Sequence, residues 1–350
     1  MKIFSIVGAR PQFIKLAPLS LKLTDIHEEF IIHTGQHYDY SMSEKIFKDL
    51  GIRKPDIHLN AGSGSHSNQT ADMMKGLEIV MIDKKPDLVI VFGDTNSTLA
   101  GAITAAKLNI PILHIEAGLR SFNKAMPEEI NRVVTDHISR HLFAPTVSAQ
   151  KNLFSEGLVT QTSLTGDIMV DTLKQNIKIA LEKSAVLSDL KINPQEYNLL
   201  TLHRDYNVDN QIVLESILTQ LGEMDEPIIF PVHPRTMKML VNGFKMPGKI
   251  IITEPKGYFD FLTLENYSKR IITDSGGIQK EAYLLQKPCI TIRSETEWVE
   301  TIEEKWNLLI SPKDQFITEK IVRFKTPLKQ NHIFGENVTE KMIQIINTLN

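Results

Sequence analysis

Short β-forming runs in this chain repeatedly break off into charged, small or polar residues, after which a helical pattern begins. Lys2–Val7 runs into Gly8-Ala9-Arg10-Pro11, and Asp87–Phe92 into Gly93-Asp94-Thr95-Asn96-Ser97-Thr98. Pro111–Ile115 ends in Glu116-Ala117-Gly118-Leu119-Arg120, Asn198–Leu202 in His203-Arg204-Asp205, and Arg270–Thr273 in Asp274-Ser275-Gly276-Gly277. Leu88-Val89-Ile90-Val91-Phe92 shows no polar alternation, which suits a strand covered on both faces, as in a parallel sheet. Open parallel sheets bind ligands beyond the carboxyl ends of their strands. The residues at those ends are therefore the first candidates for chemistry.

The pattern occurs in two series. Lys2–Val7, Phe30–His33, Asp87–Phe92, Pro111–Ile115 and Leu142–Ala144 form the first, and the pattern restarts near Leu164-Thr165-Gly166-Asp167. After the charged stretch Leu181–Glu196 the second comprises Asn198–Leu202, Pro227–Val232, Lys249–Thr253, Arg270–Thr273 and Pro288–Ile292. Val338–Leu349 reads as an amphipathic helix, and Ala61–Ser67 as either a solvated connection or a lid. A chain of 350 residues has room for two cores. The expectation is an α/β protein with two doubly wound, Rossmann-like domains facing one another, residues 1–165 and 166–335, with ligand between them.

Composition narrows the partners. With 42% hydrophobic and 23% charged residues the chain reads as an ordinary globular protein. Its formal net charge of -3 provides no global basic field, so nucleic acid is not expected. The single cysteine, Cys289, lies in an apolar run; it reads as a buried structural thiol of a reducing compartment. No apolar stretch approaches the ~20 residues of a membrane span. The expectation is a cytoplasmic protein with no membrane partner.

Several strand ends carry reactive groups. In Asp274–Glu281, glycines at a strand-to-helix turn let backbone approach a ligand, and helix-start N–H groups attract phosphate. Glu281 is placed to accept bonds from ribose hydroxyls, or else to stabilise the helix dipole. Arg10 and Lys15 lie about one turn apart on a helix opened by Pro11, as two cations for a diphosphate or as ordinary surface groups. His203-Arg204 and His233-Pro234-Arg235 set an imidazole beside a guanidinium, an anion-binding combination. No His, Cys and Asp spacing resembles a metal site, and none is expected. Asp94, Glu116 and Glu128 occupy three loops of the first domain. Their bland readings are a helix N-cap for Asp94 and an exposed i,i+4 pair of Glu128 with Arg132, on a helix whose Ile130, Val133 and Val134 form the apolar face. Three acids opposite cationic groups instead suggest acid–base work.

Taken together, these strings resemble the non-hydrolysing UDP-N-acetylglucosamine 2-epimerase family. The matching segments are Gly8–Lys15, Thr34-Gly35-Gln36-His37, Gly93–Thr98, His114–Arg120, Pro127–Arg132, Leu202-His203-Arg204, Pro231-Val232-His233-Pro234, Asp274–Glu281 and Arg293–Glu300, in family order over nearly the whole chain. The resemblance implies a GT-B architecture in which the final helix, about 336–350, packs back on the first domain. It also implies a two-step reaction needing no NAD, metal or other cofactor: UDP is eliminated across C1–C2 and re-added after C2 is reprotonated from the opposite face. Asp94, Glu116 and Glu128 would form the acid–base set, with Arg132 orienting one of them. Arg10, Lys15, His203, His233 and Ser275-Gly276-Gly277 would meet the diphosphate, Glu281 the ribose, and Glu254–Phe261, with Phe261, the uracil. Arg293 would contact substrate, and a homodimer is implied.

The chain departs from the pattern in three places. Thr296-Glu297-Trp298-Val299-Glu300 resembles the branch that includes UDP-2,3-diacetamido-2,3-dideoxyglucuronate 2-epimerases. That substrate would need a cation for its C6 carboxylate, from Arg293 or Lys124. Asp205 stands where a second basic residue is common, and Tyr38-Asp39-Tyr40 departs from the pattern linked to activation by substrate. A hydrolysing epimerase, a GT-B glycosyltransferase and a non-catalytic nucleotide-binding module are the competing expectations.

Overall fold

The computed structural model describes residues 1–36, 46–232, 234–240 and 244–349, with the backbone alone for 234 and 235. His233, His37 and Tyr38-Asp39-Tyr40 lie outside the described residues. The chain divides into two compact units: unit 1 comprises Met1–Lys174 and His332–Asn350, and unit 2 Gln175–Asn331.

Unit 1 runs β1 (Lys2–Val7), α1 (Arg10–Leu23), β2 (Glu28–His33), β3 (Ile57–His58), α2 (His66–Lys84), β4 (Leu88–Phe92), α3 (Asn96–Lys107), β5 (Ile112–Ile115), α4 (Pro127–Ile138), β6 (His141–Ala144), α5 (Val147–Ser155) and β7 (Thr162–Leu164). All strands pair in parallel in the order β3-β2-β1-β4-β5-β6-β7. The order reverses between β1 and β4, and a crevice opens at such a switch point. Phe4, Ile6, Val89 and Val91 pack on one sheet face with Met73, Leu77 and Met81 of α2 and Ala100, Ala102 and Ala105 of α3. The small residues of α3 let it lie close: a Cβ on Gly101 would sit 2.8 Å from Ile6 Cδ1. α2 already begins at His66, with Ser65 as its N-cap, so the loop read over Ala61–Ser67 is shorter than its composition suggests.

α6 (Met169–Lys183) passes from unit 1 into unit 2, where α7 (Val186–Leu190) follows. Unit 2 then runs β8 (Asn198–Thr201), α8 (Asp205–Val208), α9 (Gln211–Leu221), β9 (Ile228–Pro231), α10 (Pro234–Leu240), β10 (Ile250–Thr253), α11 (Tyr258–Tyr267), β11 (Arg270–Thr273), α12 (Gly276–Leu284), β12 (Cys289–Ile292), α13 (Val299–Glu303), β13 (Asn307–Ile310) and α14 (Ile317–Arg323). Its parallel order β10-β9-β8-β11-β12-β13 reverses between β8 and β11. Strand alternation supplies two cores. Leu200, Phe230, Ile272 and Ile290 enter one cluster, while Leu199, Ile229, Ile271 and Cys289 enter the other.

The chain returns to unit 1 as α15 (Val338–Thr348). Lys22 of α1 pairs with Glu340, His27 Nε2 meets Asn347 Oδ1 at 2.9 Å, and Thr339 donates to Asp171 through N and Oγ1 at 2.6 and 2.7 Å. Thus the two doubly wound sheets expected of this α/β class are present. Among the described residues, no helix is long and apolar enough to cross a membrane.

Candidate active site

At the unit 1 switch point one buried amide ties the two central strand ends together. Gln12 Oε1 accepts from Gly8 N at 2.8 Å and Ala9 N at 3.1 Å. Its Nε2 donates to the Phe92 carbonyl at 2.9 Å and to Thr98 Oγ1 at 3.0 Å. One turn further along α1, Lys15 Nζ lies 2.5 Å from Glu116 Oε1, both side chains being buried. Gly93 permits that approach, because a Cβ there would stand 3.0 Å from Lys15 Nζ. Glu116 itself has φ +72°. Such a left-handed conformation in a residue other than glycine costs about 1–3 kcal/mol and tends to cluster at functional sites.

The second acid is held from α4. Arg132 Nη2 lies 2.6 Å from Asp94 Oδ2, and Nη1 lies 3.0 Å from Glu129 Oε2. Asn131 Nδ2 donates to the Asp94 carbonyl at 2.8 Å, and Glu129 accepts from the backbone N–H groups of Ser121 and Phe122. These contacts correct two sequence readings. The N-cap of α3 is Thr95, whose Oγ1 accepts from Thr98 N, and Asp94 is left to face Arg132. Arg132 is buried, so it is not half of an exposed surface pair. The apolar face assigned to α4 also reverses. Glu129, Asn131, Arg132, Thr135 and Asp136 point inward, whereas Ile130 is 51% exposed. The physical reason is that Glu129, Asn131, Arg132 and Asp136 are held in hydrogen bonds and ion pairs, so this face carries a polar network instead of a core.

A third layer sits beneath. Asp136 bonds His114 Nδ1 at 2.6 Å, Arg120 Nη1 at 2.7 Å and Gly118 N at 3.1 Å, while His114 Nε2 meets the Gly93 carbonyl at 2.7 Å. Burial pushes the Asp136 carboxyl up, but His114 and Arg120 outweigh it and hold it below the usual carboxylate range. Through Gly93 this network fixes the backbone over which Lys15 and Glu116 meet.

At the unit 2 switch point the tie is a carboxylate. Asp274, fully buried, accepts from His203 N, Arg204 N and Asn207 Nδ2, each through Oδ2 at 3.0 Å. His203 Nδ1 stands 2.9 Å from its Oδ1, with the His203 side chain half exposed. Burial raises the Asp274 carboxyl, yet His203 and the N–H donors pull it below its ordinary value. The ring of His203 is thereby oriented from one nitrogen. Ser275 caps α12, and a Cβ on Gly276 would overlap Glu297 Oε1, whereas Gly277 is exposed with open space. Backbone N–H groups at this helix start are thus approachable by an anion.

Of the sequence-predicted residues, unit 1 brings Lys15 together with Glu116 and Asp94 with Arg132; unit 2 joins His203 to Asp274, the residue before Ser275, Gly276 and Gly277. Lys15, expected at a diphosphate, meets a carboxylate here. Arg10 and Glu128 are partly buried at the first turns of α1 and α4. Glu281 is buried on α12, Phe261 packs against a unit 2 core cluster, and Arg293 is buried after β12. Gln12, His114, Glu129, Asn131, Asp136, Asn207 and Asp274 had been given no individual role. Asp274 stands at a strand end, Gln12 and His114 in family-matching segments, and Glu129, Asn131 and Asp136 on the polar stretch of α4, whereas nothing quoted from the sequence marks Asn207.

The fold and these constellations define an α/β enzyme with reactive groups at the switch point of each of two doubly wound units. The family model described as UDP-N-acetylglucosamine 2-epimerase matches residues 20–347. The chain belongs to that family of isomerases. It is 48% identical to a "UDP-N-acetylglucosamine 2-epimerase homolog" of Methanococcus maripaludis, over 100% of both chains. It is also 43% identical, over 91% of each chain, to a UDP-2,3-diacetamido-2,3-dideoxy-D-glucuronate 2-epimerase of Pseudomonas aeruginosa. The crystal structure of Methanocaldococcus jannaschii UDP-GlcNAc 2-epimerase in complex with UDP-GlcNAc and UDP superposes with a TM-score of 0.91, at 42% identity and with all of each chain covered.

Proposed function

We propose that this chain inverts C2 of a UDP-N-acetyl-aminosugar, interconverting UDP-GlcNAc and UDP-ManNAc without net hydrolysis. The observation that carries this reading is the pairing of two acids with two buried cations, the buried Glu116 with Lys15 and the partly exposed Asp94 with Arg132, at a single switch point. Loss of the C2 proton has no carbonyl to stabilise it, so the C1–O bond to UDP must break as the proton leaves. The electrons of C2–H become the C1=C2 bond, and those of C1–O depart with UDP. Return of a proton to the other face of C2 and re-addition of UDP at C1 complete the inversion. Two acids on separate elements suit donation and acceptance at two faces. Unit 2 supplies His203, Ser275 and the open Gly277 turn for the departing diphosphate, Glu281 for ribose and Phe261 for uracil.

UDP-GlcNAc incubated with the protein in deuterated water tests the reading. The expected outcome is deuterium at C2 with UDP still attached. Accumulation of free N-acetylmannosamine would support hydrolysis, and turnover only with an added acceptor would support a transferase. A second substrate, the diacetamido uronate, is favoured by the 43% identity to the Pseudomonas enzyme of that name; a kcat/KM comparison of the two sugars decides.

The same reading places the protein in the cytoplasm, upstream of cell-surface polysaccharide assembly, as a homodimer. The outward apolar side of α4 supports a second copy as partner. Ile130 and Pro127 line a groove there with Thr70, Met74 and Leu99. Sedimentation of the wild type against Ile130→Asp tests the pairing.

A further inference from the structure

We infer that Lys280 and Trp298 form a positioning pair for the Ser275–Gly277 turn, the indole walling its closed side and the buried ammonium lending positive charge from beneath. This rests on the reading that unit 2 holds the diphosphate. Two distances place the pair. A Cβ on Gly276 would stand 3.5 Å from Trp298 Nε1, and Lys280 Nζ lies 4.3 Å from the centroid of the same indole. Lys280 follows Gly276 by four residues on α12, on the same helix face and about 6 Å further along the axis. Both Lys280 and Trp298 are 2% exposed.

Hydrogen bonds tie the indole's loop to the turn as well. Gln279 Nε2 donates to Ser275 O at 3.2 Å, while Gln279 Oε1 accepts from Thr296 Oγ1 at 2.7 Å and Asn307 Nδ2 at 3.0 Å. Thr296 Oγ1 in turn accepts from Trp298 N at 3.2 Å, and Gln279 is fully buried at the centre of this chain. The turn therefore has two unlike sides, closed at Gly276 by Glu297 and Trp298 and open at Gly277. A fixed floor aims the backbone N–H groups before a ligand arrives, which lowers the cost of binding. The buried cation points to an anion. An ammonium in the second turn of a helix loses water and meets the positive end of the dipole, both unfavourable. The indole face offsets part of this. A diphosphate at the Ser275 turn offsets more, because buried charges are weakly screened over one helical turn. Trp298 lies in the Thr296–Glu300 segment where the chain departs from the commoner family pattern, so the pair belongs to this version of the loop.

Calorimetric titration with UDP and with uridine tests the pair in Lys280→Met, which keeps length but removes charge, and in Trp298→Phe, which keeps a ring but removes Nε1. Lys280→Met is expected to bind UDP about tenfold more weakly, with uridine affinity unchanged. Trp298→Phe is expected to show a smaller loss of the same kind, and the double variant to lose less than the two together. The chain has two tryptophans, so in Trp306→Phe the remaining indole is Trp298, and saturating UDP is expected to change its emission. Unchanged UDP affinity in Lys280→Met, an equal loss for uridine, full additivity or a silent emission overturns the proposal. If Lys280→Met does not fold, the Trp298→Phe titrations and the emission decide. A wild type that binds no UDP sinks the nucleotide reading of unit 2 and the pair with it. One that binds UDP but shows no C2 exchange sinks the epimerase reading alone.

Discussion

At the switch point of unit 1 a neutral amide, Gln12, joins the two central strand ends; in unit 2 an ionised carboxylate, Asp274, does so. The surrounding chemistry differs in the same sense. In unit 1, acids and bases are interlinked: Lys15 meets a buried Glu116, and a buried Arg132 holds both Glu129 and the partly exposed Asp94, which fixes the two acids proposed for proton transfer. In unit 2, the negative charge lies underneath and holds backbone N–H groups and a half-exposed imidazole, which leaves donors outward. On the proposed function, one topology would therefore serve two purposes: groups that exchange protons, and a cradle for an anion.

Asp94→Asn strikes the first half of the contrast hardest. It keeps the shape and the Arg132 contact but removes the exchangeable charge, so C2 deuteration is expected to slow about 10²–10⁴-fold. UDP affinity measured by calorimetry should change little, because the nucleotide is assigned to the other unit. A parallel collapse of UDP binding would break the division of labour. Asp274→Ala attacks the second half. Removing one partner of a buried, hydrogen-bonded charge costs about 3–5 kcal/mol, to be read from denaturant unfolding of unit 2.

A smaller effect is expected for Gly276→Ala, whose added methyl meets Glu297; about 1–3 kcal/mol is expected. Gly277→Ala faces open space, so its melting temperature should stay near wild type. Equal destabilisation of the two would show that the turn tolerates no side chain at all. The mildest probe is pH. Asp136 and Asp274 both have carboxyls held below their ordinary value in the fold. Depressed carboxyls stabilise fully above the unfolded value of about 3.9, and that contribution is lost as pH falls through the folded values. Melting temperature should thus be flat from neutrality to about pH 5 and drop below about pH 4. Asp274→Asn should flatten the drop.

Much of the fold was legible because each central strand has an apolar, β-branched or leucine-rich centre and is stopped by a polar cluster. Leu88–Phe92 and Arg270–Thr273 reveal themselves in this way. Strands of two to four residues at the sheet margins, Ile57–His58, Thr162–Leu164 and Asn307–Ile310, were harder to find, since few side chains report their period. The acids and the glycine turn were legible as types at strand ends. Their partners were not, because Lys15 and Glu116 are 101 residues apart and periodicity says nothing of such pairs. α4 misled for a deeper reason: apolar spacing finds a core only where the inward face is apolar, and here that face is occupied by Asn131, Arg132 and Asp136.

That inverted helix has a consequence for anyone engineering the protein. A helical wheel would nominate Asn131 and Arg132 for replacement by leucine and Ile130 for replacement by lysine, as routine surface repair. The first change would strip Asp94 of both its anchors, and the second would set a charge in the groove that Ile130 shares with Asn96 and Asn131. Stabilising libraries should leave this segment untouched.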